Sequence, residues 1–495
     1  MRITDTTPLS CAAGSLVARD AAPPICKPPA HDIGDPRRWA ILALLLTVAF
    51  VAQLGFFVVN VAMVPISADF GKANLSAVSW VLTVYAIVFA SMLVPAGRIA
   101  DLRGRKKVLL GGVVVFTLAS LMCTLATTLG LLIAGRAVQA LGAAMIVPTS
   151  LGLLYPSFPA RQHTMVVGIW SGVSAVASPF GPLLGGVIAS VSWRWIFLVN
   201  LPIGVLAVVA GALLLPKVHQ PVGSRPPDAA SVGSLLTAVA LLVLATVQGP
   251  VWGWGDRRVV GLFVAAALAT SLTVQRALRA PVPVIEKCLF ESVRFSAATV
   301  AALIYFAGSA VFVLGSTLYL QAAWRFSPLQ AGLAMAPAAV AAVAVALRAG
   351  PIATRFGPTM PAVVGTALMS VAALYWYVMV HDAPHYWTEM LPGLLLMGVS
   401  AGLSLAPMFA AANTLPADRA TTGTAVVNMS RQVGTAIGVS ALVALTAGVA
   451  PSLGYPRAWT MQAVTGILAA LILLLGAVVT AHRSQSVTSL ERFRA

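Results

Sequence analysis

Residues 97–107 read GRIADLRGRKK, in which Arg98, Asp101, Arg103, Arg105, Lys106 and Lys107 are charged. The flanking stretches 73–97 and 108–135 contain no Asp, Glu, Lys or Arg at all. A single carboxylate sits among these cations, bracketed by Gly97 and Gly104. The cations can hold the stretch in a cytoplasmic loop, while the glycines allow a tight turn. Two further cations fall inside apolar runs: Arg136 with Gln139 in LIAGRAVQALGAA, and Arg431 with Asn428 and Gln432 in NMSRQVGTAIG. Charge inside such a run is costly and points to function by default. The structural alternative for Arg136 is a cation bonded to backbone carbonyls or to Asp101. Asn60, Tyr85 and Trp170 are further polar or aromatic candidates, for which helix packing is the prior expectation over ligand contact.

Other chemistries lack their residues. HDAPH (381–385) spaces two histidines four apart, but Pro384 spoils a helical metal site, and a solvated loop is the better reading. There is no GKS or GKT phosphate loop, no GxSxG, no HExxH and no CxxC. No cofactor, no metal and no enzymatic activity are expected. The cysteines at 11, 26, 123 and 288 have no paired spacing, and no disulfide is expected.

The elements that must position these residues are membrane helices. Hydrophobic residues make up 59% of the chain, charged residues 9%, and the mean hydropathy is +0.92. Soluble domains carry roughly 25% charged residues. Apolar runs of about 20 residues recur along the chain, the length of a spanning helix. The net charge of +17 sits between these runs and forms no basic domain, so it reads as a topology signal and excludes a nucleic-acid partner. Fourteen spans are predicted, with both termini inside, because Lys and Arg concentrate in alternate loops. The fold class expected is an all-α polytopic membrane protein of two six-helix bundles with two extra central helices. Residues 1–38 are read as a disordered cytoplasmic tail, 39–216 as the first bundle, and 217–294 as the extra pair with its connections. Residues 295–482 are the second bundle and 483–495 a cytoplasmic tail. GRIADLRG (97–104) and GPIATRFG (350–357) share Gly, Ile, Ala and Gly at equal offsets, each between the second and third spans of its half. Parallel repeats of this kind occur in transporters, with the pathway between the halves.

These motifs resemble the major facilitator superfamily, specifically its fourteen-helix drug:proton antiporter branch, over about residues 40–480. GRIADLRGRKK resembles the signature loop between helices two and three. The resemblance implies a conformational latch of Gly97, Asp101, Arg103, Gly104 and Arg105, with Asp101 on a helix N-terminus of the other half. LIAGRAVQALGAA resembles the fourth-helix motif and puts Arg136 near the inner half of its helix. GIWSGVSAVASPFGPLLGGVIA (168–189) resembles the fifth-helix antiporter motif, matched at Gly168, Gly181, Pro182, Gly185 and Gly186, with Ala177 where another glycine is expected. That motif marks exporters more than importers. WRWIFLVNLPIG (193–204) is similar to a hallmark of the branch and reads as an interfacial anchor, with Arg194 reaching headgroups.

The resemblance implies a secondary exporter of small, partly apolar molecules. It would work by alternating access and be coupled to protons, in the cell membrane, with Asn60, Tyr85, Arg136, Gln139, Trp170, Asn428, Arg431 and Gln432 along the coupling or substrate pathway. The alternatives are a non-transporting sensor or scaffold on the same fold, and uptake by proton symport. One departure matters. The first-helix motif puts an aspartate five residues before Asn60, where this chain has Gly55. On the predicted boundaries all fourteen acids lie in the tail, in loops or at span ends. The expected substrates are therefore neutral or anionic, with protons carried by a peripheral carboxylate such as Asp69 or Asp101, or by the substrate.

Overall fold

The computed structural model describes residues 35–71, 75–159, 162–163, 165–170, 173, 181, 184–185, 188, 191–216, 228–280, 283–381, 383–415, 419–446 and 451–494. The expected tail 1–38 falls almost wholly outside them. The long helices are α1 (Arg38–Phe57), α2 (Leu75–Arg103), α3 (Arg105–Thr124), α4 (Leu129–Ser157), α5 (Asn200–Leu214), α6 (Ala229–Trp252) and α7 (Arg257–Arg279). They continue with α8 (Val293–Ala310), α9 (Pro328–Ala346), α10 (Met360–Met379), α11 (Leu391–Ala410), α12 (Ala420–Thr446) and α13 (Pro451–Arg494).

Among the described residues, eleven helices are long and apolar enough to cross a membrane. Three further spans were expected. One, near 164–190, lies largely outside the described residues. A second is the shorter apolar helix Gln330–Ala346. The third is α12, long enough at 27 residues but lined with Thr, Asn, Arg and Gln, which lower its hydropathy. Polar side chains on a spanning helix must face protein or a cavity, so α12 cannot be a lipid-facing helix.

Local chemistry sets the ends. Thr128 caps α4 by accepting from Leu131 N at 3.2 Å, and Asp228 caps α6 by accepting from Ser231 N at 3.0 Å. Ser327 and Gln330 form a capping box at α9. The Lys106 Nζ donates to the Ala212 and Leu215 carbonyls at 2.8 and 2.7 Å, closing the C-terminal end of α5 with a cation. The last helix continues to Arg494, through the segment expected as a tail. No Gly or Pro occurs after Gly476 to stop it.

In the first half α4 packs on α1, α2 and α3, and α5 packs on α1 and α3. In the second, α8 packs on α12 and α13, α10 on α11 and α13, and α9 on α11. The halves meet where α12 packs on α2 and α4. The extra pair is not equivalent in its two members. Helix α6 packs against both α2 and α12, bridging the seam, whereas α7 packs on α6 and exposes Val260, Val264, Leu268, Leu272 and Leu278. The repeated octapeptide has a structural counterpart: each copy ends on a glycine in the left-handed region, Gly104 at φ 102° and Gly357 at φ 84°.

Candidate functional site

The 97–107 turn defines one face of the bundle, called here the basic face. The starts of α1, α8 and α12 and the ends of α2 and α4 lie on it. Gly104 turns the chain from α2 into α3, a φ that a side chain would oppose. That turn brings Asp101 to the start of α12. Its Oδ2 accepts from the backbone N and the Oγ1 of Thr422, both at 2.8 Å. Its Oδ1 accepts from Arg105 Nε at 3.1 Å and pairs with Nη2 at 3.0 Å. Arg105 Nη1 donates to the Gly152 carbonyl at 3.0 Å, fixing the pair to α4. The Asp101 side chain is 2% exposed. The carboxylate thus holds the N-terminus of a helix in the opposite half, where the dipole and free N–H groups favour negative charge. Gly97 permits the approach: a Cβ there would lie 2.7 Å from Ala425 Cβ. Arg103 is exposed at the end of α2.

A second set of contacts crosses the halves nearby. Glu286, on the connector between α7 and α8, forms ion pairs with Arg98 of α2 and, at 2.9 Å, with Arg419 at the start of α12. The Cys288 Sγ lies 3.0 Å from Arg419 Nη1. Deeper in, Trp170 donates to Ser150 Oγ at 3.0 Å and packs edge-on against Phe409 of α11, with centroids 5.4 Å apart. The basic face is closed by charge, by helix packing and by an aromatic contact.

At mid-depth Arg431 reaches from α12 to Gln53 of α1, donating to its Oε1, with the Phe306 ring centroid 5.6 Å from the guanidinium. Arg431 lies about 16 Å along α12 from Ala420. Asn428, one turn earlier on the same face, donates to the Thr424 carbonyl at 3.2 Å. Its Oδ1 is buried and has no hydrogen-bond partner among the described residues. Gln432 is half-buried beside Arg431.

Arg136 sits elsewhere. It is fully buried inside the first half, two turns into α4 from Leu129, and so nearer the opposite face than the inner half of its helix. Its Nε donates to the Val81 carbonyl at 3.2 Å, and its Nη1 to Gln139 Oε1 at 2.6 Å. The Tyr85 ring lies 4.0 Å from the guanidinium carbon. Gln139 passes the network to Ser120 Oγ at 2.8 Å, and Asn200 donates to the same oxygen at 3.3 Å. Tyr85 donates to the Ala52 carbonyl at 2.8 Å. The backbone-bonded alternative for Arg136 is the one realised. Asp101 is not its partner, because Arg105 takes that carboxylate.

The opposite face holds an ion pair that overturns one sequence expectation. Arg194 does not reach for headgroups: its Nη1 pairs with Asp69 Oδ2 at 2.5 Å, and its Nη2 donates to the Ala126 carbonyl at 3.1 Å. Trp193 is buried, and its Nε1 donates to Asp69 at 3.1 Å. The hydrogen bond from Arg194 holds the Asp69 carboxyl below the ordinary carboxylate range, with Trp193 adding to it against a smaller desolvation cost. Asp69 is thus half-exposed, paired and held toward its ionised form.

The model of the Major Facilitator Superfamily matches residues 45–439 and again 297–494. The chain belongs to the major facilitator superfamily. It is 31% identical over 421 residues to the tetracenomycin C resistance and export protein of Streptomyces glaucescens, covering 83% of this chain and 76% of that one. It is 34% identical over 411 residues to the methylenomycin A resistance protein of Streptomyces coelicolor, covering 81% and 84%. It is 31% identical over 398 residues to the multidrug resistance protein Stp of Mycobacterium tuberculosis, covering 79% and 73%. These names fit the drug-efflux branch that the loop and helix motifs indicate. The human organic anion transporter MFSD10 (TETRAN) superposes with a TM-score of 0.65 over 89% of this chain and all of that one, at 12% identity, a likeness of fold alone.

On this superfamily fold Gly97, Asp101 and Arg105 come together at the start of α12 while Arg103 stays exposed, and Tyr85, Arg136 and Gln139 form a second, internal unit. Asn428, Arg431 and Gln432 form a third at the seam. In the antiporter motif Gly168 is buried, and Gly185 lies where a Cβ would sit 2.7 Å from the Val58 carbonyl. Gly181 is helical, whereas Pro182 and Gly186 lie outside the described residues. Asn60 sits in the 3₁₀ turn Val58–Ala62; its side chain is not among those described. Sequence reasoning missed Gln53 and Glu286. Gln53 carried a usable signal, an amide deep in the apolar run of α1. Glu286 carried none, since only tertiary contact distinguishes it from any loop acid.

Proposed function

We propose that this chain is a secondary exporter of small, partly apolar molecules of the drug and antibiotic class, in the drug:proton antiporter branch. It crosses the cell membrane fourteen times with both termini and the basic face in the cytoplasm. The observation that carries the reading is the Asp101–Thr422 lock joining the two halves on the basic face. A device that ties one end of the seam, and must be undone to expose the other state, is what alternating access requires. The glycines of the 168–189 motif and the resistance-exporter names of the relatives support the outward direction. The positive bias of alternate loops supports the topology. Among the described residues the carboxylates sit at helix ends and loops, while Arg431 lies at mid-depth, which supports neutral or anionic substrates over lipophilic cations. Proton coupling then runs through the lock itself or through the substrate's own acidic group.

Everted membrane vesicles from cells expressing the chain test this. The expected result is accumulation of neutral and anionic aromatic compounds, abolished when the pH gradient is collapsed, with little accumulation of ethidium. Strong gradient-driven ethidium accumulation would overturn the charge preference. Movement only in the opposite direction would make the protein an importer. Binding without flux would make it a sensor.

A further inference from the structure

We infer that Arg431 is the side chain that reads an acidic oxygen on the exported molecule, and that the Gln53 amide oxygen holds that oxygen's place while the basic face is locked. The inference rests on the exporter reading and names the chemistry of its site. Arg431 and Gln53 lie on α12 and α1, in different halves, at a depth where the pathway between the halves must pass. The guanidinium offers five donors and a charge that it cannot lose. Its acceptor here is a neutral amide carbonyl, and no ion pair engages it among the described residues. A carboxylate, enolate or acidic phenol presents an oxygen in the same place with roughly twice the bond strength.

The surroundings extend the specification. Phe306 supplies an aromatic wall beside the charge. One turn along α12, the buried Asn428 Oδ1 lacks a donor among the described residues. An unpaired buried acceptor has a cost that a ligand hydroxyl or N–H removes. A cation, a flat apolar face and a spare acceptor together describe a weakly acidic, hydroxylated, partly aromatic molecule. Arg136 is unsuited to this task. It is sealed inside the first half by Val81, Tyr85 and Gln139, whereas Arg431 stays partly exposed. Because Gln53 belongs to the other half, a ligand that displaces it cuts a mid-depth tie between the halves. Recognition and release of the seam become one event.

The test uses the purified full chain and two probes of one shape, 1-naphthoate and 1-naphthamide, with affinities read from ligand-dependent thermal shifts at neutral pH. The wild type is expected to prefer the acid about tenfold. Arg431→Gln lowers the affinity for the acid by a similar factor and leaves the amide within about twofold. Arg431→Lys, which keeps the charge but loses the fork, falls between. Gln53→Ala strengthens acid binding severalfold and leaves the amide within about twofold, because it removes the competitor, and it decides the matter even where Arg431→Gln does not fold. Equal binding of both probes by the wild type overturns the inference. Equal loss of both in Arg431→Gln, or unchanged or weaker acid binding in Gln53→Ala, does so too. Acid-selective binding without export in vesicles would retain this site and sink the exporter reading instead.

Discussion

Residues 97–104 and 350–357 make the same turn and do different work. Both end on a left-handed glycine that lets one helix fold back into the next, Gly104 at φ 102° and Gly357 at φ 84°. In the first copy the fifth position is Asp101, buried and bonded to Thr422 across the seam. In the second it is Thr354, and the neighbouring Arg355 and Phe356 are exposed, stacked on each other at 5.3 Å. The backbone device is therefore shared by the repeat, whereas the lock belongs to one half. Around the first copy the structure adds the Arg98–Glu286–Arg419 cluster and helix α6. A two-fold fold thus carries a one-sided contact between its halves, made by a single carboxylate.

The largest effect that tests this contrast is at Asp101. Asp101→Asn removes the charge facing the α12 N-terminus and Arg105, a loss of about 1.5–3 kcal/mol for a charged hydrogen bond. Transport by the variant in everted vesicles is expected to fall at least about tenfold, with membrane insertion intact because the basic cluster remains. Adding Thr354→Asp to that variant is expected to restore nothing. Restored transport would show that the two turns are interchangeable and end the contrast.

The next effect separates backbone from chemistry. Gly104→Ala and Gly357→Ala each force a side chain into the left-handed region, at about 1 kcal/mol or more. Both are expected to lower the melting temperature alike. Only the first should also slow transport per folded molecule. Equal transport loss in both would assign the effect to turn strain alone.

A smaller effect is expected at Glu286. Glu286→Gln leaves Arg98 and Arg419 without their carboxylate, so the basic face should open more often. In a chain whose other three cysteines are replaced by serine, maleimide labelling of Cys288 is expected to rise severalfold, since a charged hydrogen bond in this mostly buried cluster contributes about 1.5 kcal/mol. Unchanged labelling would confine the lock to Asp101.

The smallest effect lies on the opposite face. Asp69 is half-exposed and its carboxyl is held low by Arg194, so its pairing contributes stability above the ordinary carboxylate value near 4 and loses it as pH falls through the depressed value. Asp69→Asn is expected to lower stability by under about 1 kcal/mol, equally at pH 6 and pH 8. The pH dependence of transport should be unchanged, and a flattened pH profile would return Asp69 to the coupling path.

Much of this was legible in the residues because the membrane simplifies the code. Apolar run length announces the helices, and the charges of 97–107 announce the turn and its face. The register of Gly97, Asp101 and Gly104 alone spoke only for a cytoplasmic turn, and the family resemblance pointed Asp101 at a helix of the other half. The partners were harder. Thr422 is one threonine among several at the start of α12, and Glu286 is one loop acid among many; which one a carboxylate or arginine meets depends on helix packing. Arg136 shows the opposite limit. Its cost in the membrane was evident, but only the structure shows that Val81, Tyr85 and Gln139 hold it inside one half, with Nη2 left without a hydrogen-bond partner among the described residues. The glycines of 168–189 could be read for close packing, and Gly185 against Val58 fits that reading.

Helix α6 has a consequence for how molecules arrive. It lies along both α2 and α12, and the Ser440 hydroxyl donates to its Thr246 carbonyl at 2.5 Å. That seam is thereby shut off from the surrounding acyl chains. A compound dissolved in the bilayer meets α6 and α7 before it meets the joint between the halves. On this flank the protein presents helices α6 and α7, rather than an open joint, to the lipid phase.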